Sequence, residues 1–160
     1  MGKYVIIMLV VFVFRGQVFA QTRQPNLNER IDENGFVRIG SDRDTDAWEP
    51  RGINGGLRFG NNWETLSVFT NKSGIINRIM YGKSCSSENE VINVMGSLMQ
   101  YFHELGYTIG KNGRFDDVPT ISLMTPDGNN IVYLISFRNG RNSGFVLVQS
   151  SRRMNNFVEW

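Results

Sequence analysis

Cys85 and His103 are the only cysteine and the only histidine in this 160-residue chain. They are the residue types of a thiol nucleophile and its base, so their spacing is the first thing to test. Cys85 stands just before a predicted helix N-terminus, where free N–H groups and the helix dipole favour a thiolate. His103 falls near the other end of the same helix. At 1.5 Å of rise per residue, the two backbones lie roughly 25 Å apart, against the ~3 Å that a catalytic pair requires. A Cys–His hydrolase within one chain is excluded on that ground. Cys85 remains the one candidate catalytic residue, for a small thiol-dependent enzyme or redox protein; the competing reading is a small buried apolar side chain. His103, on the polar face and without a second histidine, does not make a zinc site.

Asp42, Asp44 and Asp46 alternate as in the first half of an oxygen-rich calcium loop. Ala47 replaces the glycine of its sharp turn and Ile53 the bidentate glutamate, so the triplet is a calcium candidate only in a non-standard form. Asp116 and Asp117 are adjacent; in an extended segment they point apart, unlike a catalytic carboxylate pair. Arg138 and Arg141 precede the last predicted strand, and Arg152 and Arg153 follow it. Converging at one end of the sheet, they would bind a phosphate, sulfate or carboxylate. Trp48, Trp63 and Trp160 offer stacking surfaces for a sugar or peptide, and Trp63 joins the arginines as a candidate ligand-binding residue. No nucleophile elbow, phosphate-cradling glycine loop or metalloprotease helix motif is present, and no cofactor is implied.

The elements that must carry these residues centre on Ser86–Gly106. Ser87 and Glu90 form a capping box, and Val91, Val94, Met95, Leu98, Met99, Phe102 and Leu105 recur on one helical face. Gly106 supplies the left-handed stop. Strand chemistry surrounds this helix: Leu57–Phe59, Thr65–Thr70, Ile75–Tyr81, Thr120–Thr125, Asn130–Arg138 and Gly144–Gln149. In the third of these, Ile75, Ile79 and Tyr81 share a face with Asn77, and Ile76 and Met80 share the other with Arg78. Residues 110–119 read as a loop. The expected fold is α+β, one amphipathic helix packed on an antiparallel sheet of about five strands in the order strands–helix–strands. One face of that sheet is then left to solvent, to an N-terminal arm, or to a ligand.

Residues 1–20 have the three parts of a secretory signal: Lys3, the apolar run Tyr4–Phe14, and Val18-Phe19-Ala20 before a cut. The run is too short for a membrane span. Residues 21–56 read as a polar N-terminal arm, with Phe36–Ile39 as a short strand, and residues 57–160 as the α+β domain. The chain holds 17 Lys and Arg against 15 Asp and Glu; losing Lys3 and Arg15 with the leader leaves the two signs equal. A neutral mature chain has no global field for nucleic acid or anionic membrane, and a lone cysteine makes no internal disulfide.

These readings give an exported, soluble, non-catalytic binding or protein-interaction module, secreted or periplasmic. Its partner is a protein, peptide or glycan outside the cytoplasm. The alternatives are the Cys85 enzyme and a structural subunit of a surface assembly, which would form homo-oligomers through an edge strand.

Overall fold

A strand that is apolar on both faces must be covered on both, and two adjacent strands of this chain have that pattern. In β10 (Asn142–Ser150), Phe145 and Leu147 alternate with Val146 and Val148; in β9 (Ile131–Asn139), Val132 and Leu134 alternate with Ile131, Tyr133 and Ile135. They pair antiparallel, Leu147 opposite Leu134 and Val148 opposite Tyr133. The computed structural model describes residues 24–52 and 55–159 and builds outward from this hairpin.

In chain order the elements are β1 (Phe36–Ser41), β2 (Thr45–Pro50), β3 (Gly56–Arg58), β4 (Asn61–Trp63), β5 (Thr65–Asn71), β6 (Ile76–Cys85) and α1 (Glu88–Glu104). Then come β7 (Thr108–Phe115), β8 (Val118–Met124), β9, β10 and β11 (Phe157–Glu159). Among the described residues they make one nine-stranded antiparallel sheet, in the order β1-β2-β5-β6-β10-β9-β8-β7-β11, and a two-stranded ribbon, β3-β4. The protein is mostly β. The expected α+β sheet of about five strands is therefore wrong.

The extra strands come from segments whose burial is one-sided or slight. β1 and β2 lie in the segment read as a polar arm, where Phe36, Asp46 and Trp48 alone among their residues are buried. Asp42 closes the turn between them, its Oδ1 accepting from the N–H groups of Asp44 (2.9 Å) and Thr45 (2.7 Å). β7 occupies most of the expected 110–119 loop. Asp116 and Asp117 both have positive φ, 46° and 68°, as a two-residue type I′ hairpin requires, and Phe115 pairs with Val118. β11 then pairs with β7, Phe157 opposite Phe115.

α1 lies across one face. Ser87 is its N-cap, the hydroxyl accepting from Glu90 N–H at 3.2 Å. The returning carboxylate bonds the residue before the cap: Glu90 Oε2 accepts from Ser86 N–H (2.6 Å) and Ser86 Oγ (2.7 Å). At the other end Gly106 N–H bonds His103 O and Tyr107 N–H bonds Phe102 O, a Schellman closure on Gly106 with φ 86°. Val94, Leu98 and Phe102 are buried against Ile79, Tyr81, Leu134, Phe145 and Leu147. Leu105, expected on that face, is the C-cap and is exposed. The ribbon covers the rest: Phe59 at its tip packs on Tyr81, Tyr101 and Phe102.

Ile76 departs from the simple two-face reading. The register between β5 and β6 shifts between Phe69 and Thr70, leaving Asn77 unpaired. This bulge turns Ile76 into the helix-side core with Ile79 and Tyr81, while Met80 packs on the other side.

The second face is closed by the segment after β10. Residues 151–156 cross it as a strap, held by Met154 N–H donating to Tyr133 Oη at 3.1 Å and Ser151 N–H donating to Asn77 O at 3.0 Å. Met154 and Phe157 bury Ile131, Tyr133, Ile135 and Val148. The strap ends beside β7, fastened by Glu159 to Lys111 (2.8 Å) and Arg153 (2.6 Å).

In the core, the Tyr81 hydroxyl is buried and has no hydrogen-bond partner among the described residues, and burial pushes its pKa to about 12. An unpaired buried hydroxyl costs on the order of 1–3 kcal/mol. Tyr81→Phe is accordingly expected to leave the urea midpoint unchanged or raise it; a clear fall would show that the hydroxyl has a partner in solution.

Candidate functional site

Arg78 is a charged residue on a central strand, β6. It sits on β6 opposite Phe69 of β5 and Ser150 of β10, on the strap side of the sheet. Its guanidinium carbon lies 5.1 Å from the centre of the Phe69 ring, a cation–π distance. Its Nε is buried and has no hydrogen-bond partner. Burial, and then the positive charge of Arg152, lower its pKa. Among the described residues neither Arg78 nor Arg152 has a carboxylate within ion-pair distance.

Arg78 lines a cavity of about 620 Å³ between the strap and the β5–β6 end of the sheet. Three segments distant in sequence build it. Asn71, Ile75, Ile76 and Asn77 come from the β5–β6 turn and bulge, Ser150 to Asn155 from the strap, and Asn28 and Asp44 from the N-terminal part. Hydrogen bonds fix these segments: Asn28 N–H donates to Ile76 O (2.8 Å), Ser151 Oγ to Asn77 O (3.3 Å), and Ser150 Oγ to Arg152 O (2.5 Å). Arg153 completes the arginine set and is already paired with Glu159. The lining is rich in amides and guanidiniums, so it suits a polar, hydrogen-bonding guest.

The four arginines singled out by sequence do not meet. β10 spans nine residues, so its two ends lie ~30 Å apart, with Arg138 and Arg141 at one and Arg152 and Arg153 at the other. Arg138 Nη1 bonds Glu88 Oε1 at 2.6 Å. It borders a second hollow, of about 520 Å³, whose walls include Val91, Ile92, Val118, Pro119 and Phe137. Arg141 is exposed at the hairpin tip. Trp63 is no stacking surface: it is 3% exposed, and its indole N–H donates to Arg58 O at 2.9 Å. Trp48 is likewise buried, bonded to Thr70 Oγ1; Trp160 lies outside the described residues, as do residues 1–20. Arg78 was missed as a site residue, although an arginine inside a two-sided apolar strand is itself a signal that something polar must meet it.

Two of the three aspartates, Asp42 and Asp46, are used internally. Asp46, 7% exposed, bonds Lys72 Nζ (2.8 Å) and Ser41 Oγ (2.6 Å), while Asp42 closes its turn and Asp44 faces the arginine cavity. The Lys72 hydrogen bond, then that of Ser41, lowers the Asp46 pKa. Among the described residues no three His, Cys, Asp or Glu side chains group as metal ligands. A depressed carboxylate stabilises above its unfolded pKa, ~3.9, and that contribution disappears as pH falls through the lower folded value. The stability difference between the protein and Asp46→Asn should therefore be constant above about pH 5 and shrink below about pH 4. Urea titrations at each pH would show this, and a difference unchanged down to pH 2 would remove Asp46 from that role.

Cys85 ends β6 and belongs to the helix-side core. Burial raises its thiol pKa, Glu90 and Glu64 add to the rise, and Lys83 opposes it. Burial and the neighbouring carboxylates thus favour the protonated thiol. At pH 7, iodoacetamide is expected to label it at least ~10-fold more slowly in the folded protein than in urea; equal rates would restore a reactive cysteine.

No protein-family model, curated protein or solved structure matches this chain. Among the described residues no helix is long and apolar enough to cross a membrane.

Proposed function

We propose that the protein is an exported, non-catalytic binding module whose ligand site is the cavity beneath the strap. The observation that carries this reading is Arg78: a buried, unpartnered Nε on a central strand, at the wall of a polar cavity assembled from three separate segments. A rigid sheet floor with a pinned strap on one side is the arrangement expected of a largely pre-formed pocket. The leader-like residues 1–20 and the equal charges of the remaining chain support export and a partner met outside the cytoplasm, in the periplasm or the medium. That partner, protein, peptide or glycan, presents a polar group to the cavity. The thiol-enzyme alternative loses support from the buried, protonated Cys85.

Two measurements test the proposal. Intact mass of the exported form should begin at Gln21; retention of residues 1–20 would contradict export by that leader. Amide chemical shifts should then be followed while the concentrated medium or periplasmic extract, freed of protein, is titrated into labelled protein. The expected changes cluster at residues 75–78 and 150–155 and vanish in Asn155→Trp, which fills the cavity from an exposed position. Changes elsewhere, changes that survive in the variant, or none at all would overturn the site.

A further inference from the structure

We infer that the group the cavity takes is an oxyanion, a phosphate, sulfate or carboxylate, clasped between Arg78 and Arg152. This rests on the cavity being the ligand site. Its own argument is electrostatic. Both arginines line the one cavity, and the positive charge of Arg152 acts on Arg78 as a like charge. Among the described residues neither has a carboxylate within ion-pair distance. Asp44 lines the same cavity, but it makes no ion pair with either arginine. Arg153, the third cation, is already committed to Glu159 at 2.6 Å.

The floor shows how an anion would be held. Arg78 stacks on Phe69 and lines the cavity, and among the described residues its buried Nε has no acceptor. Two N–H donors of a guanidinium match two oxygens of one oxyanion, and charge-assisted bonds of that kind are about twice as strong as neutral ones. Arg152, exposed on the strap, lines the same cavity and supplies the second guanidinium. The volume, about 620 Å³, exceeds what an inorganic oxyanion fills. The remaining wall offers the amides of Asn77 and Asn155 to whatever bears the charge. The oxyanion is thus the anchoring group of a larger polar ligand.

The test uses the mature protein, with sodium phosphate, sulfate and acetate each compared with chloride at equal ionic strength. Phosphate and sulfate stabilise folded proteins generally, so the readout is the difference in Tm rise between the protein and Arg152→Ala, an exposed change that leaves the fold intact. At several times the Kd, the protein should gain ~2–4 °C more than the variant. Arg78→Gln, where it folds, should lose the gain as well, and Arg138→Ala should keep it. A larger response to phosphate and sulfate than to acetate assigns a tetrahedral group, and the reverse assigns a carboxylate. Equal rises in the protein and Arg152→Ala for all three anions at about 20 mM would overturn the inference. Loss of the extract-induced shifts in Asn155→Trp alongside that result would leave the cavity as the site and remove only the anion.

Discussion

The structure depends on one constraint: the central strands are apolar on both faces. β10 buries Phe145 and Leu147 on one side and Val148 on the other, all with no exposure. A sheet covered only by α1 would leave Tyr133, Ile135 and Val148 in water. Fully burying a large apolar side chain is worth about 1.5–3 kcal/mol, so a second cover is strongly favoured. The chain supplies it with the segment after β10, which crosses the open face and is stitched to Tyr133, Asn77 and β7.

The cavity follows from where that cover lies. The strap runs from the end of β10 toward β7, over β9 and β8, and leaves the β5–β6 end of the same face less completely filled. There the sheet carries Arg78 and Phe69 rather than aliphatic residues, and the bulge at Asn77 takes Ile76 away to the opposite core. The same irregularity that completes one core thus makes the other face polar. Charge works locally here: equal numbers of acidic and basic residues in the chain after residue 20 still leave Arg78 and Arg152 lining one cavity, with no carboxylate of the described residues within ion-pair distance of either.

Much of the local structure was legible from the residues. The helix was, through its Ser87 cap, its three- and four-residue apolar spacing and its Gly106 stop. So were the β5–β6 and β8–β9 hairpins, because each joins an apolar run to its neighbour through turn chemistry. Toward the sheet edges less was legible: Phe36–Ile39 marks β1, but β2 and β7 bury so few side chains that alternation barely shows, and they exist because a neighbouring strand offers them a ladder. Of the candidate site, Arg152 and Arg153 were marked by sequence and Arg78 was not. Arg138 and Arg141 flank the same strand as the first pair, but at its opposite end, and a nine-residue strand holds its two ends ~30 Å apart.

The sequence alone determined what depends on neighbours a few residues away: the caps, the amphipathic face of α1, the turns, and the two-sided apolar character of the central strands. Those are set by hydrogen bonds and spacings within one turn or one hairpin. Only the tertiary structure decided the number of strands, the route of the strap, the inward turn of Ile76, the burial of Trp63 and Cys85, and the placing of Arg78 and Arg152 on one cavity. Each of these joins segments far apart in the chain, and no local pattern records which of them will be brought within reach of one another.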